Sequence, residues 1–313
     1  FYAPAQLVRD ARDHGVEVRP ISVTHSHWDC TLEPRPDGGL ALRLGFRQIK
    51  GLRQEDAGWI VAARGNGYPD VESLWRRAGV HPDTLERLAE ADAFAALGLT
   101  RRDALWAAKA LKAPAPLPLF GPDGEGGVEP DVTLPQMTLG QEMIEDYLSL
   151  RLSLRAHPME LLRPRLPDTL PHDRLPQAKG RITVTGLVIT RQRPGTASGV
   201  IFLTLEDETG TANIVVWKQV YETFRKAVIA GRLVRVTGRV ERDGPVTHVI
   251  AERVEDVSPL LATLGRPILI APDNGCADET KRQTKRPIGS SARPPAHHPR
   301  EQAKKLFPSR DFH

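Results

Sequence analysis

GRITVTGLVITRQR (180–193), GVIFLTLED (199–207) and TANIVVW (211–217) are three successive runs in which apolar and polar residues alternate. A period of two marks strands that turn one face to a core. In the first run Ile182 and Val184 keep one phase and Leu187 and Ile189 the other, with Gly186 between them. A one-residue slip at glycine predicts a β-bulge, which bends a strand around a barrel. Trp217, Val220, Tyr221, Phe224 and Val228 then recur at helical spacing, which predicts a helix with Trp217 on its core face. Two more strands follow, RLVRVTGRV (232–240) and VTHVIAERVEDV (246–257), joined through Arg242–Asp243–Gly244. Three strands, a helix and two strands is the order of the OB fold, a five-stranded β-barrel.

OB barrels commonly bind single-stranded nucleic acid by aromatic stacking and basic side chains. The candidates for phosphate contact are Arg191, Arg193, Lys218, Arg235 and Arg239, and Phe202 is the candidate for stacking. The competing reading makes the arginines a solvated strand face and Phe202 a core residue. The acidic cluster in TLEDETG (204–210) fits a hairpin turn better than a metal site.

Upstream, PAQLVRDARDHG (4–15) reads as a short helix with Pro4 at its start and Gly15 at its end, and VEVRPISV (16–23) is strand-like. Residues 40–112 read as several short helices, stable only when packed on one another. QEDAGWIVAAR (54–64) is one, a second begins at His81–Pro82, and Thr100 caps RRDALWAAKALK (101–112). The tight turn at IKGL (49–52) has the character of a helix-hairpin-helix element, whose backbone N–H groups meet a phosphate. Lys50, Gly51, Arg53 and Arg64 are its candidate contacts, although Arg53 stands where a second hairpin glycine is usual. A helix-packing turn without DNA contact is the alternative.

Proline and glycine crowd residues 113–136, which marks a linker. A helix follows, with Thr138 and Gln141 at capping-box spacing and His157–Pro158 as its expected end. LPLF (117–120) has the apolar-aromatic ending of clamp-binding peptides, or else anchors on a neighbouring domain. Residues 265–313 lack periodicity and are expected to be mostly disordered.

The chain has 313 residues, enough for two or three small domains. Its net charge of +4 resides in residues 273–313, with nine Lys/Arg against five Asp/Glu; the rest carries 34 of each. Nucleic-acid binding by the body therefore depends on local patches. Cys30 and Cys276, the only cysteines, form no disulfide or zinc framework. A cytoplasmic setting is expected, without membrane spans. His25, His27 and Asp29 cluster in H-S-H-W-D, but no further ligand set accompanies them. No P-loop, G-x-S-x-G or strand-borne D-x-D appears, so nothing here predicts a catalytic centre.

FYAPAQLVRDARDHGVEVRPISV, WDCTLEP (28–34), ALRLGFRQIKGL and ADAFAALGLTRRDALW (91–106) resemble the error-prone relatives of the bacterial DNA polymerase III alpha subunit. LSLRAHPMELLRP (153–164), the OB segment and SRDFH (309–313) share that resemblance. The opening at Phe1 without methionine and the closing residues suggest a C-terminal fragment. The resemblance implies an α+β, multidomain chain: 1–34 ending the fingers region, 35–112 a helix-hairpin-helix DNA-binding region, 113–178 a linker and helix, 179–258 the OB domain, and 259–313 a basic tail. It implies an error-prone, translesion nucleotidyltransferase as the parent, whose Mg²⁺-binding palm lies outside this piece. Its partners would be primer-template duplex, single-stranded template, a sliding clamp and mutasome proteins. The piece alone is expected to be inactive. Rival readings are a stand-alone single-strand-binding protein and an anticodon-binding OB domain.

Overall fold

The computed structural model describes residues 3–111, 134–194, 199–244 and 246–265, and the backbone of 310–312. Two compact units divide the chain, 1–161 and 162–313.

The first unit opens with α1 (Pro4–Asp13) and a three-stranded sheet. Strand β1 (Glu17–Arg19) pairs in parallel, and β2 (Thr31–Pro34) antiparallel, with the central β3 (Leu40–Arg43). β3 lies where the sequence reads as helical; its four residues are too few for periodicity to separate strand from helix. Helices α2 (Gln54–Ala63), α3 (Val71–Ala78), α4 (Pro82–Glu90), α5 (Arg101–Ala110) and α6 (Leu139–Ser149) complete the unit. Ile60, Leu74, Leu85, Leu88 and Phe94 fill one shared core. The caps form as the sequence predicts: Thr100 accepts from the Asp103 N–H at 3.2 Å, and Thr138 and Gln141 close a capping box. α6 stops at Ser149, short of His157–Pro158, and Arg151 beyond it has φ +62°. Pro158 instead begins the short α7 (Pro158–Leu162).

The second unit is the barrel. β4 (Arg181–Gln192), β5 (Ile201–Glu206), β6 (Thr211–Val216), α8 (Lys218–Ala230), β7 (Leu233–Asp243) and β8 (Val246–Asp256) follow in the order expected of an OB fold. The pairing β4-β5-β6-β8-β7 returns to β4, so the sheet closes. The β6–β8 contact is parallel and the others are antiparallel. Val184, Val188, Leu203, Leu205, Ile214, Val236 and Val249 fill the interior.

The slip in β4 lies elsewhere than predicted. Register shifts between Val188 and Thr190, while Gly186 stays in phase with Val184 and Val188. Gly186 sits where β4 passes from β7 to β5, and a Cβ there would lie 2.9 Å from the Glu206 carbonyl oxygen. Close backbone approach at a bend, not the bulge, requires this glycine.

After β8 a 3₁₀ turn, Ser258–Thr263, tucks Leu261 fully into the fold, so ordered chain runs past the expected start of the tail at 259. A last strand, β9 (Arg310–Phe312), pairs in parallel with β4. The expectations for 113–133, including Leu117–Phe120, and for 266–309 fall outside the described residues.

Candidate nucleic-acid interface

On the outer face of β5 and β6, Phe202 stands opposite Val215. Residues 211, 213 and 215 of β6 turn outward between the buried Ala212, Ile214 and Val216. Trp217 continues that alternation, because its φ and ψ of −67° and 154° are still extended. The sequence reading of Trp217 as a core residue is therefore wrong. It precedes the first helical turn, follows the strand's phase, and is 54% exposed, against 36% for Phe202. Helical spacing from Val220 onward extended the apolar stripe one residue too far.

Val215 neighbours Ile250 of β8, and His248 stands opposite Glu241 of β7. With Phe202, Trp217, Arg242 and Asp243 these residues surround a groove of about 470 Å³. The Arg242 guanidinium is held by the carbonyls of Pro176 and Ala178, at 2.8 and 2.7 Å. The hairpin edge of the groove carries Glu241 and Asp243 against this one guanidinium, and its floor is aromatic and aliphatic. Such a site suits the face of a base better than a phosphate.

The predicted cations divide. Arg193 is exposed, its guanidinium 5.6 Å from the Tyr221 ring centroid. Lys218 is exposed, 4.0 Å from Glu222. Arg239 is exposed and pairs at 2.9 Å with Glu252, which also holds Arg181 at 2.8 Å. Arg235 is half-buried on β7, in register with Thr185 and Glu255. Arg191 is a correction. It is buried, donates to the Val228 carbonyl at 2.7 Å and to that of Gly231, and so ties β4 to the end of α8. The bulge sets Arg191 opposite the inward-facing Leu203, which takes its guanidinium off the surface.

In the helical unit, Lys50, Gly51 and Arg53 share one turn before α2. Gly51 has φ +78°, a conformation that strains any residue with a Cβ, and its carbonyl accepts from the Arg87 guanidinium. The Lys50 side chain is exposed, but its backbone N–H donates to Ser149 at 2.9 Å, so that amide holds α6. Arg53 precedes α2 and pairs with Asp56 at 3.1 Å. Arg64 is the second correction. It lies at the far end of α2, half-buried, and donates to the carbonyls of Val23 at 2.9 Å and of Ser26. Burial pushes its pKa down, and its donors anchor the 23–26 loop.

Among the described residues no three His, Cys, Asp or Glu side chains gather as a metal would require, and Asp29 instead pairs with Arg47 at 2.5 Å. No described helix is long and apolar enough to cross a membrane.

Residues 15–104 match the model of a helix-hairpin-helix motif, and 182–257 that of an OB-fold nucleic acid binding domain. Over its whole length the chain is 64% identical to an error-prone DNA polymerase of Ruegeria pomeroyi. The chain is therefore similar, along its whole length, to part of an error-prone DNA polymerase. A Sinorhizobium medicae error-prone DNA polymerase is 48% identical over 85% of this chain. The chain spans only 28% and 26% of the lengths of these two polymerases. Among solved structures, an asparaginyl-tRNA synthetase from Pyrococcus horikoshii is 32% identical over 29% of this chain and 23% of its own, with a TM-score of only 0.26.

Proposed function

We propose that this chain is the DNA-handling part of a longer error-prone DNA polymerase, with the barrel receiving single-stranded template. The observation that carries this reading is the exposed pair Phe202 and Trp217 over an uncharged floor, on the face OB folds use for oligonucleotides. Bases stack in the groove, and the phosphates pass along Arg193 and Lys218, with Arg235 and Arg239 as further contacts. Lys50, Gly51 and Arg53 meet the backbone of the primer-template duplex. The sliding clamp and mutasome proteins are partners of the longer polymerase in this reading. In this reading the Mg²⁺ that such an enzyme uses is held by parts of the longer polymerase outside this chain.

The test is a titration of the chain against labelled single-stranded DNA, primed duplex and tRNA across a salt series. Salt-sensitive binding to either DNA form in preference to tRNA is expected, with no primer extension in Mg²⁺. A preference for tRNA overturns the reading, and nucleotide incorporation overturns the placement of catalysis elsewhere.

Lys50→Ala combined with Arg53→Ala is expected to weaken duplex binding. It should also flatten the plot of log affinity against log salt by about 1.8, at roughly 0.9 per lost phosphate contact. An unchanged slope removes the hairpin from the contacts.

A further inference from the structure

A second groove, of about 1000 Å³, opens in the helical unit between α2, α3, α4 and α5. Its apolar lining includes Trp59, Trp75, Val80, Pro82 and Leu111. Trp59 is 58% exposed although its helix neighbours Ala57 and Ile60 are fully buried, so the folded core makes little use of its ring. An exposed tryptophan beside a concave apolar surface has the character of an interface anchor.

The charge around this groove is opposite to what DNA requires. Glu55, Asp56, Asp83 and Glu86 face only Arg53 and Lys109, a net charge of −2 with histidine neutral. Arg53 is already paired with Asp56 at 3.1 Å. That leaves Glu55, Asp83 and Glu86 against one lysine, a field that repels phosphate and attracts cations.

We propose that this groove docks a basic peptide segment of a partner protein, with one aliphatic or aromatic side chain seated against Trp59 and flanking Lys or Arg side chains meeting Glu55, Asp83 and Glu86. The proposal is independent of the barrel's single-strand reading, since none of the barrel residues takes part; Arg53 alone is shared with the proposed duplex contacts. It gives the helical unit a protein-binding face distinct from the hairpin edge at Lys50.

The experiment selects phage-displayed random dodecapeptides against the full 313-residue chain and measures the enriched peptide, fluorescein-labelled, by anisotropy. The expected consensus carries two or more Lys or Arg residues around one large apolar residue. Trp59→Ala and the double variant Asp83→Lys with Glu86→Lys should each weaken the peptide at least tenfold. Single-stranded DNA binding should be unchanged in both, and both should remain folded because all three side chains lie outside the core; Asp83→Lys, a cation in the first turn of α4, should lower the melting temperature only slightly. Four results overturn the proposal: no consensus, an acidic consensus, peptide affinity within twofold of the parent in both variants, or single-stranded DNA competing for the peptide site. Concentration-dependent dimerisation abolished by Trp59→Ala would also overturn it, by assigning the groove to a second copy of the chain.

Discussion

Trp217→Ala is expected to weaken single-stranded DNA binding by about five- to 150-fold, from roughly 1–3 kcal/mol per base stacked on an aromatic ring. Phe202→Ala should cost less, because its smaller ring is also less exposed, at 36% against 54%. The double variant discriminates two geometries. If the rings hold successive bases their losses add; if they grip a single base, the second removal costs less than the first. Neither ring neutralises a phosphate, so the salt slope should stay where the parent has it. That invariance separates stacking from a general loss of charge or fold. Measurement by anisotropy with an oligothymidine, beside a thermal melt, is sufficient. Affinities within twofold of the parent for both single variants would remove this face from the interface and leave the barrel without its strongest argument.

The same residues show how far the sequence carries. Order and closure of the barrel were legible because each strand has one buried face, and alternation is a local property. Thr100 and Thr138 were legible as caps because a cap is read within four residues. Phase at element junctions was not. Trp217 belongs to the helical stripe by spacing and to β6 by backbone conformation, and only φ and ψ decide between them. Arg191 and Arg64 looked like surface cations because nothing local reveals the distant carbonyls that bind them, 37 to 41 residues away in sequence. Arg191 turns inward because the register shifts after Val188, a shift the alternation does not locate. That Trp217 and Phe202 share one face follows from register, which the alternation constrains only to one face or the other.

Asp207→Ala is expected to destabilise the barrel by about 3–5 kcal/mol, since several buried donors lose their acceptor at roughly 1–3 kcal/mol each while Arg163 keeps Glu208. Against typical domain stabilities of about 5–15 kcal/mol this is a large fraction. The turn role expected for TLEDETG is real but incomplete. Asp207, fully buried, accepts from the N–H groups of Thr209 and Gly210 at 2.8 and 2.9 Å, which shapes the β5–β6 hairpin. It also accepts from the His172 N–H at 3.0 Å and from Arg163 at 2.8 Å, which pins the segment before β4 to the barrel. Asp207→Asn keeps one carbonyl oxygen for these donors and should recover part of the loss. The cluster also sets an acid response. Burial holds His172 below its ordinary 6.5, so the unfolded chain takes up that proton first and stability falls as pH drops below about 6.5. Burial alone would raise Asp207, but His172 and the Thr209 donors outweigh it and hold the carboxyl below 3.8. A second loss therefore begins below about pH 3.8, with the same sign. Urea unfolding followed at pH 7 and pH 5 isolates the first step: the midpoint should be lower at pH 5. A flat profile would mean that His172 keeps its ordinary affinity for protons in the fold, and that the cluster holds the barrel through Arg163 and the hairpin amides alone.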